Sequence, residues 1–178
     1  KIFIKINKVK VYIFFYNFIS NIFNIKIILN NSKEIYGSYK SNDTYNIEFV
    51  SANPTGPMHV GHCRGAIYGD VLANLLKFNG NKVIKEYYIN DYGNQIRSFV
   101  ESIHFRILEI KYNKEFPKKE NLYPGFYIKD IANKIIKENV DLDLVDFDKN
   151  FELLKKDSIK ASMELIKKDL KLLGISHD

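Results

Sequence analysis

Between Thr44 and Ile89 the chain changes its hydrophobic period twice. Tyr45, Ile47 and Phe49 alternate with Asn46, Glu48 and Val50, a period of two that reads as a strand. From His62 to Phe78 the apolar positions Ile67, Val71, Leu72, Leu75 and Leu76 follow helical spacing. Asn79-Gly80-Asn81 ends that helix, with Gly80 suited to a left-handed cap. Val83, Ile84 and Tyr87–Ile89 make a second strand. Strand, helix and strand in so short a span form a βαβ unit, so the two strands are expected to be parallel with a right-handed crossover.

Helices are expected to follow. Asn90 or Asp91 is placed to cap one that runs to about Lys111. After a loop at Phe116–Gly125, two more span about Phe126–Asn139 and Lys149–Leu173. Ile159, Met163, Ile166, Leu170 and Leu173 share one stripe of the last helix, and Gly174 stops it. Before the βαβ unit, Val11–Phe23 is an apolar run, interrupted after its end by Asn24 and Lys26. It is short of the roughly 20 apolar residues a membrane span needs. No small-residue cleavage site follows it, so it reads as a core element of an accessory domain and not as a signal peptide.

Composition narrows the function classes. One cysteine, Cys63, excludes an intramolecular disulfide framework and a Cys-rich zinc module, and a reducing cytoplasm is the expected compartment. The net charge of +6 would ordinarily suggest an anionic partner. Only Arg64, Arg97 and Arg106 are arginines, and Lys, Asn, Ile, Phe and Tyr are used heavily. That is the bias of an AT-rich coding sequence, so much of the lysine reads as a solvated surface. The excess lies in residues 1–46, where seven lysines face Glu34 and Asp43.

The chemistry is concentrated in the loop between the first strand and the first helix, Glu48 to His62. Ligands of an open α/β sheet bind beyond the carboxyl ends of its strands. A helix N-terminus there offers unpaired N–H groups and a positive dipole end, which suit phosphate. His59 and His62 add donors in the first turn, and Gly61 between them lets a flat ligand approach the backbone. Two other readings stand beside this one. The histidines are structural, or His59 and His62 form half a metal site with Cys63, although neighbouring positions 62 and 63 do not easily face one ion.

His59-Val60-Gly61-His62 resembles the HIGH signature of class I aminoacyl-tRNA synthetases and related nucleotidylyl transferases. The whole run from Asn46 to His62, and the second run from Glu86 to Ile96, resemble the bacterial arginyl-tRNA synthetase family. The resemblance implies an α/β fold: a parallel-stranded, Rossmann-like HIGH half-domain with helical insertions over 44–178. Residues 1–43 would be the end of an N-terminal, tRNA-contacting accessory domain. It implies ATP-dependent activation of L-arginine and transfer of the arginyl group to tRNA, with Mg2+ accompanying the ATP and no protein metal site. Carried onto this chain, His59 and His62 would be catalytic. Pro54, Thr55, Gly56, His59, Gly61 and His62 would contact ATP. Glu48, Ser51, Asn53, Asn90, Asp91 and Gln95 would surround the arginine. A carboxylate such as Glu48 suits a guanidinium, and its place among Ile47, Phe49 and Val50 would be costly without a partner.

The same resemblance makes the chain look partial. No Lys-Met-Ser-Lys-like loop is present, and Met163 sits inside an amphipathic helix. A helical anticodon-binding domain is also absent. The expected state is a cytoplasmic monomer without a membrane role, inactive in aminoacylation by itself. Asn94 and Arg64 have no assigned role. A different HIGH-type nucleotidylyl transferase and a non-catalytic tRNA-binding remnant are the alternatives.

Overall fold

The computed structural model describes residues 41–178 together with Lys26, Asn30 and Ser38. The apolar run Val11–Phe23, and with it most of the expected accessory segment, lies outside the described residues. Strand β1 (Thr44–Glu48) leads through a loop to helix α1 (Val60–Phe78) and strand β2 (Lys82–Glu86). Helices α2 (Asn94–Tyr112), α3 (Phe126–Glu138) and α4 (Phe147–Leu172) follow. The strands pair in parallel, with Thr44 opposite Lys82 and Glu48 opposite Glu86. The α/β class and the parallel βαβ unit are as expected.

The pairing stops where β1 turns away. Phe49 N–H still reaches the Glu86 carbonyl at 3.3 Å. Val50 and Ser51 then adopt positive φ values of 70° and 37°. The expected strand at Tyr87–Ile89 is therefore not formed, although Val83, Lys85 and Tyr87 keep a period of two in their burial. Its pairing partner has left.

Helix α1 turns a different face to the sheet than its apolar stripe suggested. Ala66, Gly69 and Ala73 are its buried residues. Ile67, Val71, Leu72 and Leu75 are all exposed, between 39% and 57%. Close packing explains the choice. A Cβ on Gly69 would lie 2.2 Å from Cγ of Phe49, so a glycine there lets the helix sit on the end of β1. One charge is enclosed at this contact. Lys85 of β2 is buried, and its Nζ lies 2.5 Å from Asp70 Oδ1 and 3.3 Å from Asn74 Oδ1 on α1. This pair neutralises a lysine that would otherwise be costly in the interior.

Helix α2 begins later than the polar residues Asn90 and Asp91 suggested. Gly93, with φ 97°, is its N-cap, and no side chain caps it. Ile96, Phe99, Val100, Ile103 and Ile107 of α2 pack with Ile128, Ile131 and Ile135 of α3 and with Leu144, Leu154 and Ala161. Each large side chain in this core contributes about 1.5–3 kcal/mol by leaving water. Helix α4 joins this core to a second one. Its Ile166 and Leu170, with Ile175 beyond it, pack on Phe49, Ala52 and Ala66. In the stripe read from the sequence, Ile166 and Leu170 are buried and Leu173 is exposed. After Gly174 (φ 72°) the chain returns to β2, where Asp178 N–H donates to the Lys85 carbonyl at 3.0 Å. Lys85 N–H in turn donates to Asp178 Oδ2 at 2.8 Å. Among the described residues no helix is long and apolar enough to cross a membrane.

Candidate active site

His59 caps α1 from outside its first turn. Its Nδ1 accepts from Gly61 N–H at 3.1 Å and from His62 N–H at 3.4 Å. His62 Nδ1 accepts from His59 N–H at 3.4 Å, which completes a reciprocal capping box. The rings stack with centroids 3.7 Å apart. Because each Nδ1 accepts, each neutral ring carries its proton on Nε2. The turn thus offers two Nε2–H donors. Partial burial, and then the neighbouring His59, hold the His62 pKa below its ordinary value. Gly61 has a local role that the sequence did not reveal: a Cβ there would lie 3.0 Å from Cε1 of His59, so the glycine makes room for the cap itself.

The loop from Ala52 to Met58 is fastened at three places. Tyr87 O–H donates to the Ala52 carbonyl at 2.8 Å, and Tyr127 O–H to the Thr55 carbonyl at 3.0 Å. Met58 N–H donates to Asp169 Oδ2 at 3.0 Å. Pro54 is fully buried. Burial pushes the Tyr87 hydroxyl up to about 12 and raises that of Tyr127 as well, so both remain donors at neutral pH. Tyr127, on α3, and Asp169, on α4, lie 72 and 111 residues from their partners, a separation no local motif signals.

The arm before this loop carries the other expected residues. Ser51 and its neighbour Val50 hold a conformation that costs an L-residue about 1–2 kcal/mol each. Ser51 Oγ accepts from Tyr88 N–H at 3.1 Å, which leaves its own O–H free to donate. Asn53 Nδ2 donates to Gln95 Oε1 at 2.7 Å, so the two motifs meet at this bond. Glu48 is exposed, and no ion pair forms on it among the described residues. The expectation of a costly enclosed carboxylate is corrected accordingly: β1 turns Asn46 and Glu48 outward, and Asn46 bonds to Glu86. Asn90 and Asp91 are exposed, and among the described residues no hydrogen bond joins them to the 48–53 arm. Asp91 lines a cleft of about 290 Å³ with Arg97 of α2 and Phe151 of α4. Asn94 and Gln95 border another, of about 460 Å³. Among the described residues no group of three metal-ligating side chains is assembled, so His59, His62 and Cys63 do not form one. Arg64 is exposed on α1.

A family model described as tRNA synthetases class I (R), catalytic domain, matches residues 24–163. The arginine–tRNA ligase of Pelagibacter ubique is 53% identical over 161 residues, which is 86% of this chain and 27% of that protein. That of Ehrlichia ruminantium is 47% identical over 160 residues, again 27% of its length. A crystal structure described as an arginyl-tRNA synthetase from Campylobacter jejuni superposes with a TM-score of 0.75 at 34% identity. That match covers 85% of this chain and 33% of the other. The chain therefore spans about a quarter of the length of these curated relatives. With the family match extending over most of its residues, the chain belongs to the arginyl-tRNA synthetases of class I, within their catalytic domain.

Proposed function

We propose that this chain forms the ATP- and arginine-binding part of an enzyme that activates L-arginine and transfers it to tRNA. The observation that carries the reading is the Asn53–Gln95 bond, which joins the 48–53 arm after β1 to the start of α2, while the histidine turn opens α1 further along the same loop. In the reaction, a carboxylate oxygen of arginine attacks the α-phosphorus of ATP. The bond from that phosphorus to the bridging oxygen breaks, and pyrophosphate leaves with its electron pair. No protein acid or base is required, so the residues act by position and electrostatics. Magnesium arrives with ATP as part of the substrate and screens the pyrophosphate charge.

Each residue then has a task. The Nε2–H groups of His59 and His62 and the N-terminus of α1 supply positive potential to phosphate oxygens as charge shifts onto them. Thr55 and Gly56 form the anchored rim beside ATP, with Pro54 buried beneath them, and Gly61 makes room for the His59 cap. Ser51 O–H is a free donor for a carboxylate, and Asn53 Oδ1 a free acceptor for an ammonium, which together match an amino-acid head group. Glu48, exposed beside them, is available to pair with the guanidinium. Gln95 holds Asn53, while Asn90 and Asp91, exposed between β2 and α2, are assigned to the rim around the substrate. The reading includes tRNA as partner and the cytoplasm as setting.

The test is arginine-dependent exchange of labelled pyrophosphate into ATP by the complete gene product, with and without tRNA. Exchange driven by arginine and by no other amino acid is the expected result. Adenylate formation on another substrate would place the chain among other nucleotidylyl transferases. Salt-sensitive tRNA binding that survives loss of both histidines, without exchange, would make it a binding remnant.

A further inference from the structure

The strained arm is gripped on both sides of its bend by side chains from elsewhere. Before it, Nε2 of His177 lies 3.3 Å from the Phe49 carbonyl, with the imidazole 4.3 Å from the Phe49 ring. After it, the Tyr87 hydroxyl donates to the Ala52 carbonyl at 2.8 Å. The two grips touch each other, since the Tyr87 ring meets the His177 ring edge-on at 5.2 Å. Between them stand Val50 and Ser51 with positive φ. Such a bend persists only where its surroundings over-determine it, and strain of this kind gathers at functional sites.

Ala52 lies between Ser51 and Asn53, and it is buried. Its carbonyl fixes the peptide plane that separates the two side chains. Tyr87 directly follows β2, so the register of the sheet sets where its hydroxyl can be. Tyr88, the next residue, donates its N–H to Ser51 Oγ. The segment after β2 therefore measures out the arm through consecutive residues, one by a side chain and one by the backbone.

We propose that Tyr87 is a positioning residue for arginine recognition, its hydroxyl on the Ala52 carbonyl setting the angle at which Ser51 and Asn53 are presented. The proposal rests on the reading of Ser51 and Asn53 as head-group ligands. Tyr87 touches no reacting atom; it acts through Ala52. Removing its hydroxyl leaves the ring, the His177 contact and the core in place, but frees the arm to relax.

The test compares Tyr87→Phe, Asn53→Ala, Glu48→Ala and the double variant Tyr87→Phe/Asn53→Ala in the complete gene product, by steady-state kinetics of activation. Tyr87→Phe is expected to raise KM for arginine about fivefold, the effect of one lost hydrogen bond, with KM for ATP nearly unchanged. In the Asn53→Ala background the same change is expected to add less than it does alone, because one of the two presented groups is already gone. Unchanged arginine KM in Tyr87→Phe while Glu48→Ala weakens arginine binding would overturn the positioning role and leave the functional reading intact. Equal shifts in both KM values, or full additivity with Asn53→Ala, would also overturn it by showing a merely structural effect. If neither Glu48→Ala nor Asn53→Ala alters arginine binding, the functional reading itself fails.

Discussion

The imidazole rings of His59 and His62 stack 3.7 Å apart and within 17° of parallel, each accepting a backbone N–H of the turn they share. The same two residues thus start the helix and carry the proposed phosphate donors. His62→Ala removes the returning half of the capping box and is expected to cost about 1 kcal/mol of stability. In the complete protein it is expected to lower the activation rate by about 10²–10³, the range for one lost transition-state donor, with a far smaller effect on arginine binding. Chemical denaturation and single-turnover kinetics check the two effects separately.

Acid should loosen the fold through its histidines. Burial is the first cause that lowers the pKa of His62, His104 and His177 in the folded chain. At His62 the nearby His59 adds to it; at His104 and His177 carbonyl contacts with Leu144, Val145 and Phe49 partly oppose it. A folded pKa below the unfolded one means that the unfolded chain binds more protons. The stability from these rings is fully present above the unfolded value near 6.5 and is lost as pH falls through the lower folded values. The melting temperature is expected to drop below about pH 6.5, and His104→Asn to flatten the drop. A melting temperature that rises across this window would contradict the assignment.

Gly69→Ala tests the contact between α1 and β1. The added methyl would sit 2.2 Å from the Phe49 ring, and Phe49 is itself packed under His177. Displacing it is expected to destabilise the protein by about 1–3 kcal/mol. The shift also moves the base of the 48–53 arm, so arginine binding should weaken together with stability. Calorimetric melting and arginine titration check this.

The Lys85–Asp70 pair should be more sensitive to loss of one partner than of both. The side chains are 10% and 17% exposed. Asp70→Ala leaves a lysine enclosed without its counter-ion and is expected to cost about 3 kcal/mol or more. Lys85→Met combined with Asp70→Leu is expected to recover a large part of that loss, since burial then requires no charge pairing. Urea denaturation of the single and double variants measures the difference.

The period of two at Tyr45–Phe49 and the helical period at Ile67–Leu76 located the βαβ unit because local spacing is enough to define such elements. Spacing did not identify the buried face of α1, since what decides it is the fit of Gly69 under Phe49, 20 positions earlier in the chain. Tyr87–Ile89 looked like strand because side-chain alternation persists past the point where β1 bends away at Val50. Asn90 and Asp91 looked like caps because their side chains suit that task, yet the chain enters α2 through the positive φ of Gly93. At the site, the two histidines and the Asn53 and Gln95 motifs were readable, and the Asn53–Gln95 bond joins those motifs. Tyr87, Tyr127 and Asp169 were not readable, because each reaches the loop only through the tertiary fold.

The central claim is that the arm ending in Asn53 binds arginine while the His59–His62 turn serves ATP. Pyrophosphate exchange by the complete gene product, with Glu48→Ala and His62→Ala compared side by side, tests it most directly. The account predicts that Glu48→Ala raises KM for arginine by tenfold or more with little change for ATP, since it removes a charge-assisted pair worth about 1.5–3 kcal/mol. It predicts that His62→Ala lowers kcat and leaves KM for arginine nearly unchanged. Glu48→Ala with unaltered arginine KM, or His62→Ala with unaltered kcat, would contradict it.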